Sequence, residues 1–365
     1  MESLHVRGIV LPDDELRDVF ITADGRLSFG DAVRDARPIL DGVVLVPGLA
    51  DVHCHLALAS PAASGATPEE AAEASARVEV EAGVLALREP GSPFPRAATG
   101  LDPDDGYPRV VTGGRFLAPP GGYVPGFARE VHADELPDAA VSESQASGGW
   151  AKVIGDWLGP DGRHVQNFPA EALSAAAQQV HAAGGRIAIH AGLTETMGGA
   201  IRAGFDSIEH GLSIGEVDLP AMAAAGVTLV PTLTAMRGVP EFMQHLGVPR
   251  EEVEWWAGVV AGQPAGVRAA AEAGVTVLAG TDAGMIPHGN IAQEIQALID
   301  LGLEPMAALA AGSWKARAFL GLPGIEEGAP ADLVAFARDP REDPSVLRDP
   351  VLVVLGGHVL HAPPS

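Results

Sequence analysis

Lysine is nearly missing from this sequence: of 23 basic residues 21 are arginine, and the two lysines are Lys152 and Lys315. Wherever positive charge alone suffices the chain uses arginine, whose permanently protonated guanidinium cannot replace an amine that must lose its proton and react. Lys152 lies in the short apolar run Trp150-Ala151-Lys152-Val153-Ile154-Gly155 and is therefore a candidate for amine chemistry. Cysteine is scarcer still. The single Cys54 excludes an intrachain disulfide framework and agrees with a reducing compartment. Although 47% of the residues are hydrophobic, no run approaches the ~18–20 apolar residues that a membrane helix needs. The start, Met1-Glu2-Ser3-Leu4-His5, has neither the basic nor the apolar region of a secretory signal, so the expected location is the cytoplasm. Positive charge is also in deficit. A formal net charge of −25 argues against nucleic acid or an anionic membrane as partner and leaves a small-molecule substrate, with a homo-oligomer open. Aromatic residues make up 5%, and the abundant Ala and Gly fit tight packing of helices on a sheet.

What is present is most informative at Val43-Val44-Leu45-Val46-Pro47-Gly48-Leu49-Ala50-Asp51-Val52-His53-Cys54-His55, an apolar strand pattern that delivers two imidazoles at its far end. Alternate strand residues share a face, so His53 and His55 stand roughly 6–7 Å apart and can converge on one cation. Cys54 falls on the opposite face and reads as a small buried apolar residue.

From Val46 onward, short apolar runs alternate with Ala/Glu-rich helical segments, the pattern of a parallel sheet. Eight runs are visible: Val44–His55, Val84–Glu89, Arg109–Phe116, Ala151–Asp156, Arg186–Ala191, Ser207–Gly211, Thr228–Leu233 and Val275–Asp282. Between them, a helix over Pro68–Ala82 is predicted with Thr67 as its N-cap and Glu69 and Glu70 in its first turn, and another over Pro169–Ala183. Eight such units make an α/β fold of the (β/α)8 TIM-barrel type, with its chemistry at the C-terminal strand ends. Residues 1–43 and 325–365 carry short alternating strands and turns such as Ala23-Asp24-Gly25-Arg26, and predict a small β-sandwich built from both termini beside a barrel over 44–324. The inserts Leu117–Gly149 and Thr234–Gln263 are expected to wall or cover the site.

The ends of the runs collect His53 and His55, Lys152, His190, His210 and Asp282. This joint placement favours a metal site where any one histidine would not. At this point the chain resembles the amidohydrolase superfamily, in particular its imidazolonepropionase-like and Xaa-Pro dipeptidase-like branch. The resemblance rests on Pro47–His55, Ala151-Lys152-Val153, Ile189-His190-Ala191, Asp206-Ser207-Ile208-Glu209-His210-Gly211, Ala279-Gly280-Thr281-Asp282-Ala283-Gly284 and the tail Gly328-Ala329-Pro330-Ala331-Asp332-Leu333-Val334.

The resemblance implies a binuclear centre: His53, His55 and Asp282 on the first metal, His190 and His210 on the second, and carbamylated Lys152 bridging both. Carbon dioxide would turn the neutral amine into an anionic ligand with two oxygens, which arginine could not become. The donor set suits Zn²⁺, with Mn²⁺, Fe²⁺ or Co²⁺ also compatible. A water between two dications is hydroxide near neutral pH, and Asp282 would act as general base and then general acid. Asp51 reads as a carboxylate orienting a ligand or as a strand-end cap. Arg88, Arg115, Tyr123 and His288 are placed to face the pocket as substrate-binding residues, an arginine there being able to clamp a substrate carboxylate.

The function that follows is metal-dependent hydrolysis of a C–N amide-type bond in a linear or cyclic amide, an N-acyl amino acid or a dipeptide-like molecule. Deamination of a heterocycle is the nearest rival, but Leu193 stands where such enzymes usually carry a glutamate. Lactone or ester hydrolysis stays open, while a non-catalytic scaffold has no need of the full constellation.

Overall fold

The computed structural model describes residues 2–30, 33, 35–58 and 65–362, so residues 1, 31, 32, 34 and 363–365 of the expected terminal unit and 59–64 of the expected barrel lie outside it. It is a mixed α/β structure in which the predicted runs pair in parallel. Leu49–Asp51 pairs with Val84–Glu89, which pairs with Arg109–Thr112. Phe116–Ala118 continues the third run and pairs with Trp150–Ile154, followed in order by Arg186–Ala191, Ser207–His210 and Thr228–Val230. Leu229 then bridges Val277, and Cys54 bridges Ala283, both in parallel. Hydrogen bonds from Val52 N to Ala279 O (3.1 Å) and Asp282 N to His53 O (2.7 Å) join the eighth run to the first. The pairing order returns to where it began.

The helices follow their sequence signals. Pro68–Glu81 begins with a reciprocal capping box, Thr67 accepting from the Glu70 backbone while Glu70 accepts from the Thr67 backbone. The second predicted helix spans Ala170–Ala182 with Pro169 as N-cap. Both inserts carry helices: Leu136–Ser147 lies in the first, and Leu233–Met236, Val239–His245 and Arg250–Glu272 run through the second and past its end.

One expectation needs correction. The run predicted as a single strand over Val44–His55 is divided at Gly48. Arg37–Pro47 belongs to a seven-stranded sheet, where Val44–Pro47 pairs with Leu333–Phe336, and only Leu49–Asp51 enters the parallel system. The physical reason is contact: a Cβ on Gly48 would lie 2.6 Å from the Leu85 side chain, so the chain can cross from one sheet to the other there only as glycine. The expected boundary at 43/44 thus falls inside a strand. The seven-stranded sheet takes strands from both termini, in the order His358–His361, Leu352–Leu355, Leu333–Phe336, Arg37–Pro47, Leu4–Val10, Glu15–Ile21, Leu27–Ser28. It has its own apolar cluster, including Val6, Val19, Ile21, Leu45, Leu333 and Val354. Buried Asp332 ties it to the parallel system by ion pairs with Arg109 (2.6 Å) and Arg317 (2.9 Å).

Candidate metal centre

His53, His55, Lys152, His190, His210 and Asp282 all line one cavity of about 730 Å³, its open mouth included. Ring centroids lie 5.2 Å apart for His53 and His55, 5.1 Å for His53 and His210, and 4.6 Å for His190 and His210. Donor atoms of His53, His210 and Asp282 fall within 4.8 Å of one another.

Three of the imidazoles are fixed in one tautomer by what their Nδ1 atoms touch. His53 Nδ1–H donates to Glu209 Oε2 (2.6 Å) and His55 Nδ1–H to the Gly91 carbonyl (2.8 Å). His210 Nδ1 meets Thr232 Oγ1 at 2.8 Å; the Thr232 hydroxyl spends its own proton on the Pro231 carbonyl, so the ring must be the donor. Each Nε2 is left with its lone pair free, the state a metal ligand requires. Two of those lone pairs face the same anion, with His53 Nε2 3.4 Å and His55 Nε2 3.3 Å from Asp282 Oδ1. Burial lowers the His53 pKa, but Asp282 and Glu209 more than offset it and hold the ring above the usual histidine range, so a cation, a proton or a metal ion, is favoured beside that carboxylate.

The other rings are shifted the opposite way, His55 among them, by burial. Burial holds His190 down at about 3 and His210 well below the usual histidine range, so both rings are neutral at neutral pH. Burial also lowers the Lys152 ammonium to about 8, with Glu209 opposing and Arg88 assisting. Lys152 Nζ is buried with no hydrogen-bond partner among the described residues. An unpartnered buried ammonium is costly. The donor set fits divalent metal.

The backbone at this site is strained. His210, Thr232 and Asp282 adopt φ of +70°, +49° and +56°. Left-handed non-glycine residues each cost roughly 1–3 kcal/mol and persist where the surroundings over-determine them.

Of the residues expected to read substrate, Tyr123 lines the cavity. The other three need correction. Arg88 is fully buried and points away from the cavity, donating to Val52 O (2.7 Å), Ser207 Oγ (2.9 Å) and Glu209 Oε1 (2.7 Å), because a buried glutamate must be neutralised. Arg115 gives its place to Phe116: strand alternation turns Phe116 to the cavity and Arg115 outward, toward the Gly126 carbonyl. His288 turns behind the first run, its Nδ1 3.0 Å from Glu79 Oε1 and 3.7 Å from Cys54 Sγ. Asp51 is a strand-end cap, accepting from His53 N (3.0 Å), Thr281 N (3.1 Å) and Thr281 Oγ1 (2.5 Å) and touching no imidazole.

Sequence reasoning gave no role to Glu209, Asp156 or Thr232. Glu209 had a signal: a charge inside an apolar buried run demands an opposite charge on another, which is Arg88. Asp156 had one too, ending the run that carries Lys152. It accepts from Gly192 N, Leu193 N and His164 Nε2 and so clamps the ends of two runs together. Thr232 had none.

Residues 146–360 match the model of the amidohydrolase family. The chain belongs to that family. An uncharacterized protein of Mycobacterium tuberculosis is 39% identical over 357 residues, covering 97% of this chain and 95% of that one. Among solved structures, a Xaa-Pro dipeptidase with bound methionine aligns at TM-score 0.83 and 24% identity over 99% of this chain and all of its own. Aspergillus niger ochratoxinase aligns at 0.80 and 21%, over 99% and 96%. The amidohydrolase is thus a hydrolytic enzyme acting on C–N bonds, with the fold of the prolidase-like branch. Among the described residues no helix is long and apolar enough to cross a membrane.

Proposed function

We propose that this amidohydrolase cleaves an amide-type C–N bond of a small molecule with two divalent metal ions, zinc first among them, at the open end of a (β/α)8 barrel. The observation that carries this reading is the joint one of three imidazoles held by Nδ1 with Nε2 inward, two of them against Asp282, beside a buried amine with no hydrogen-bond partner among the described residues. His53, His55 and Asp282 would hold one ion, His190 and His210 the other, and Lys152, as its carbamate, both. Bound metals supply a hydroxide at neutral pH and polarise the scissile carbonyl.

The remaining work falls to side chains. Asp282 accepts the proton of the attacking water at a carboxylate oxygen and returns it to the leaving nitrogen. Glu209 holds the His53 ring in register, and Arg88 keeps Glu209 ionised within the core. The cavity walls exclude bulk water and sharpen each of these interactions.

The test is a screen of protein loaded with Zn²⁺ in bicarbonate against anilides, N-acyl amino acids, dipeptides, cyclic amides, lactones and aminated heterocycles. Metal-dependent release of amine from an amide is the expected result. Turnover confined to lactones, or ammonia released from heterocycles alone, would replace the reading.

A further inference from the structure

Six side chains of the metal constellation account for nearly all the polarity of the cavity. The rest of its wall is apolar, dominated by Phe116, Trp157, Met236, Phe242, Met243 and Trp256. Among the described residues no arginine lines this cavity; Arg88 is consumed by Glu209, and Arg115 turns outward. Among the described residues the one amine on the cavity wall is Lys152 and the one carboxylate Asp282. A substrate carboxylate would meet no other cation on the described wall. It could be satisfied only on the metal constellation, where it would compete with the carbonyl to be cleaved.

One donor on that wall is unspent. Tyr123 sits among Phe116, Phe127 and Trp157 through ring contacts alone, and among the described residues its hydroxyl has no hydrogen-bond partner. A neutral oxygen would accept from Tyr123 without bringing a charge. An unpaired carboxylate loses its hydration here without replacement, whereas an aromatic ring gains by burying its apolar surface.

Resting on the hydrolase reading above, we infer that the substrate is an uncharged amide with an aromatic or branched alkyl group beside the scissile bond and a neutral oxygen for Tyr123, and that free carboxylates of the dipeptide or N-acyl amino acid kind are rejected.

The experiment uses substrate pairs that differ by one carboxylate: the anilides of phenylacetic, benzoic and isovaleric acids, each against the same acyl group on 4-aminobenzoate. With the metal-loaded enzyme, kcat/KM should favour the uncharged member by at least ~100-fold. Met285 lines the cavity at an exposed position, so Met285→Arg should fold and narrow that gap by about tenfold. Equal or faster turnover of the carboxylates overturns the inference and leaves amide hydrolysis standing. If no member of any pair is cleaved, quenching of tryptophan fluorescence decides. Saturable binding of the uncharged members alone upholds the inference while the hydrolase reading falls; binding of neither member, or of both alike, overturns it.

Discussion

Arg88 and Glu209 form an ion pair of 2.7 Å between Nη2 and Oε1, with both side chains wholly shielded from solvent. The other glutamate oxygen takes the His53 Nδ1 proton at 2.6 Å, so one carboxylate neutralises a buried cation and aims an imidazole at once. Removing one member of a buried pair leaves the other charge uncompensated. Glu209→Gln is expected to destabilise the fold by about 3–5 kcal/mol in urea titration. Metal affinity should drop by roughly 10–100-fold as His53 loses its anionic partner. A variant as stable as wild type would show that Arg88 finds another counter-charge.

Lys152→Arg should be nearly inactive although the formal charge is unchanged, because arginine forms no carbamate and a fixed cation is pushed toward the metals. Lys315 is exposed on the helix Trp314–Phe319, and Lys315→Arg should be silent. Because Lys152 titrates at about 8, reconstitution of metal-stripped protein should need more bicarbonate at pH 6.5 than at pH 8.5. Activity of the Lys152 variant close to wild type would remove the carbamate from the mechanism.

Asp282→Asn is expected to keep the fold and lose at least ~10²-fold in kcat, since an amide neither takes nor returns the proton. Metal content has to be measured on the same sample. Undiminished turnover at full occupancy would move the base to another residue.

About two transition-metal ions per chain are expected by elemental analysis after purification without chelator, six ligand residues being more than one tetrahedral centre uses. Prolonged chelation should lower the melting temperature as well as abolish activity, because ions that bind only the folded state stabilise it. A reproducible value of one after reconstitution with excess metal would point to a mononuclear site.

Glu294 governs stability rather than chemistry. Its carboxylate is buried and accepts from Leu233 N (2.7 Å), Thr234 N (2.9 Å) and Thr234 Oγ1 (2.7 Å), anchoring the short helix that follows Thr232. Burial raises its pKa from 4.5 to about 7. Between those values the folded state binds more protons than the unfolded chain, so this group makes stability fall as pH rises from 4.5 to about 7, by an amount on the order of 3 kcal/mol. Urea midpoints for wild type and Glu294→Gln across that range should differ in slope, the variant lacking the decline. Parallel curves would mean that Glu294 stays ionised when buried.

The runs, their order and the chemical residues at their ends could be read from sequence because each depends on local pattern: apolar stretches, alternating helices, and histidines, a lysine and an aspartate at strand termini. What could not be read depends on the third dimension. Arg88 and His288 looked like cavity residues because they sit at or just past strand ends, yet their orientation is decided by Glu209 and Glu79, distant in sequence. The division of the first strand turns on the packing of Gly48 against Leu85, a contact no spacing reveals. Thr232 fixes the tautomer of His210 from another run, in a backbone conformation that threonine seldom signals.

Much of the apolar wall comes from one uninterrupted stretch of chain: Met236, Val239, Phe242, Met243 and Trp256 all fall within about twenty residues, and none is a metal-site residue. On the proposed reading, the residues that would hold metal and much of the surface that would select substrate lie in separate stretches of the chain, so exchanging residues 236–256 should alter which amides are cleaved while leaving the proposed metal ligands in place.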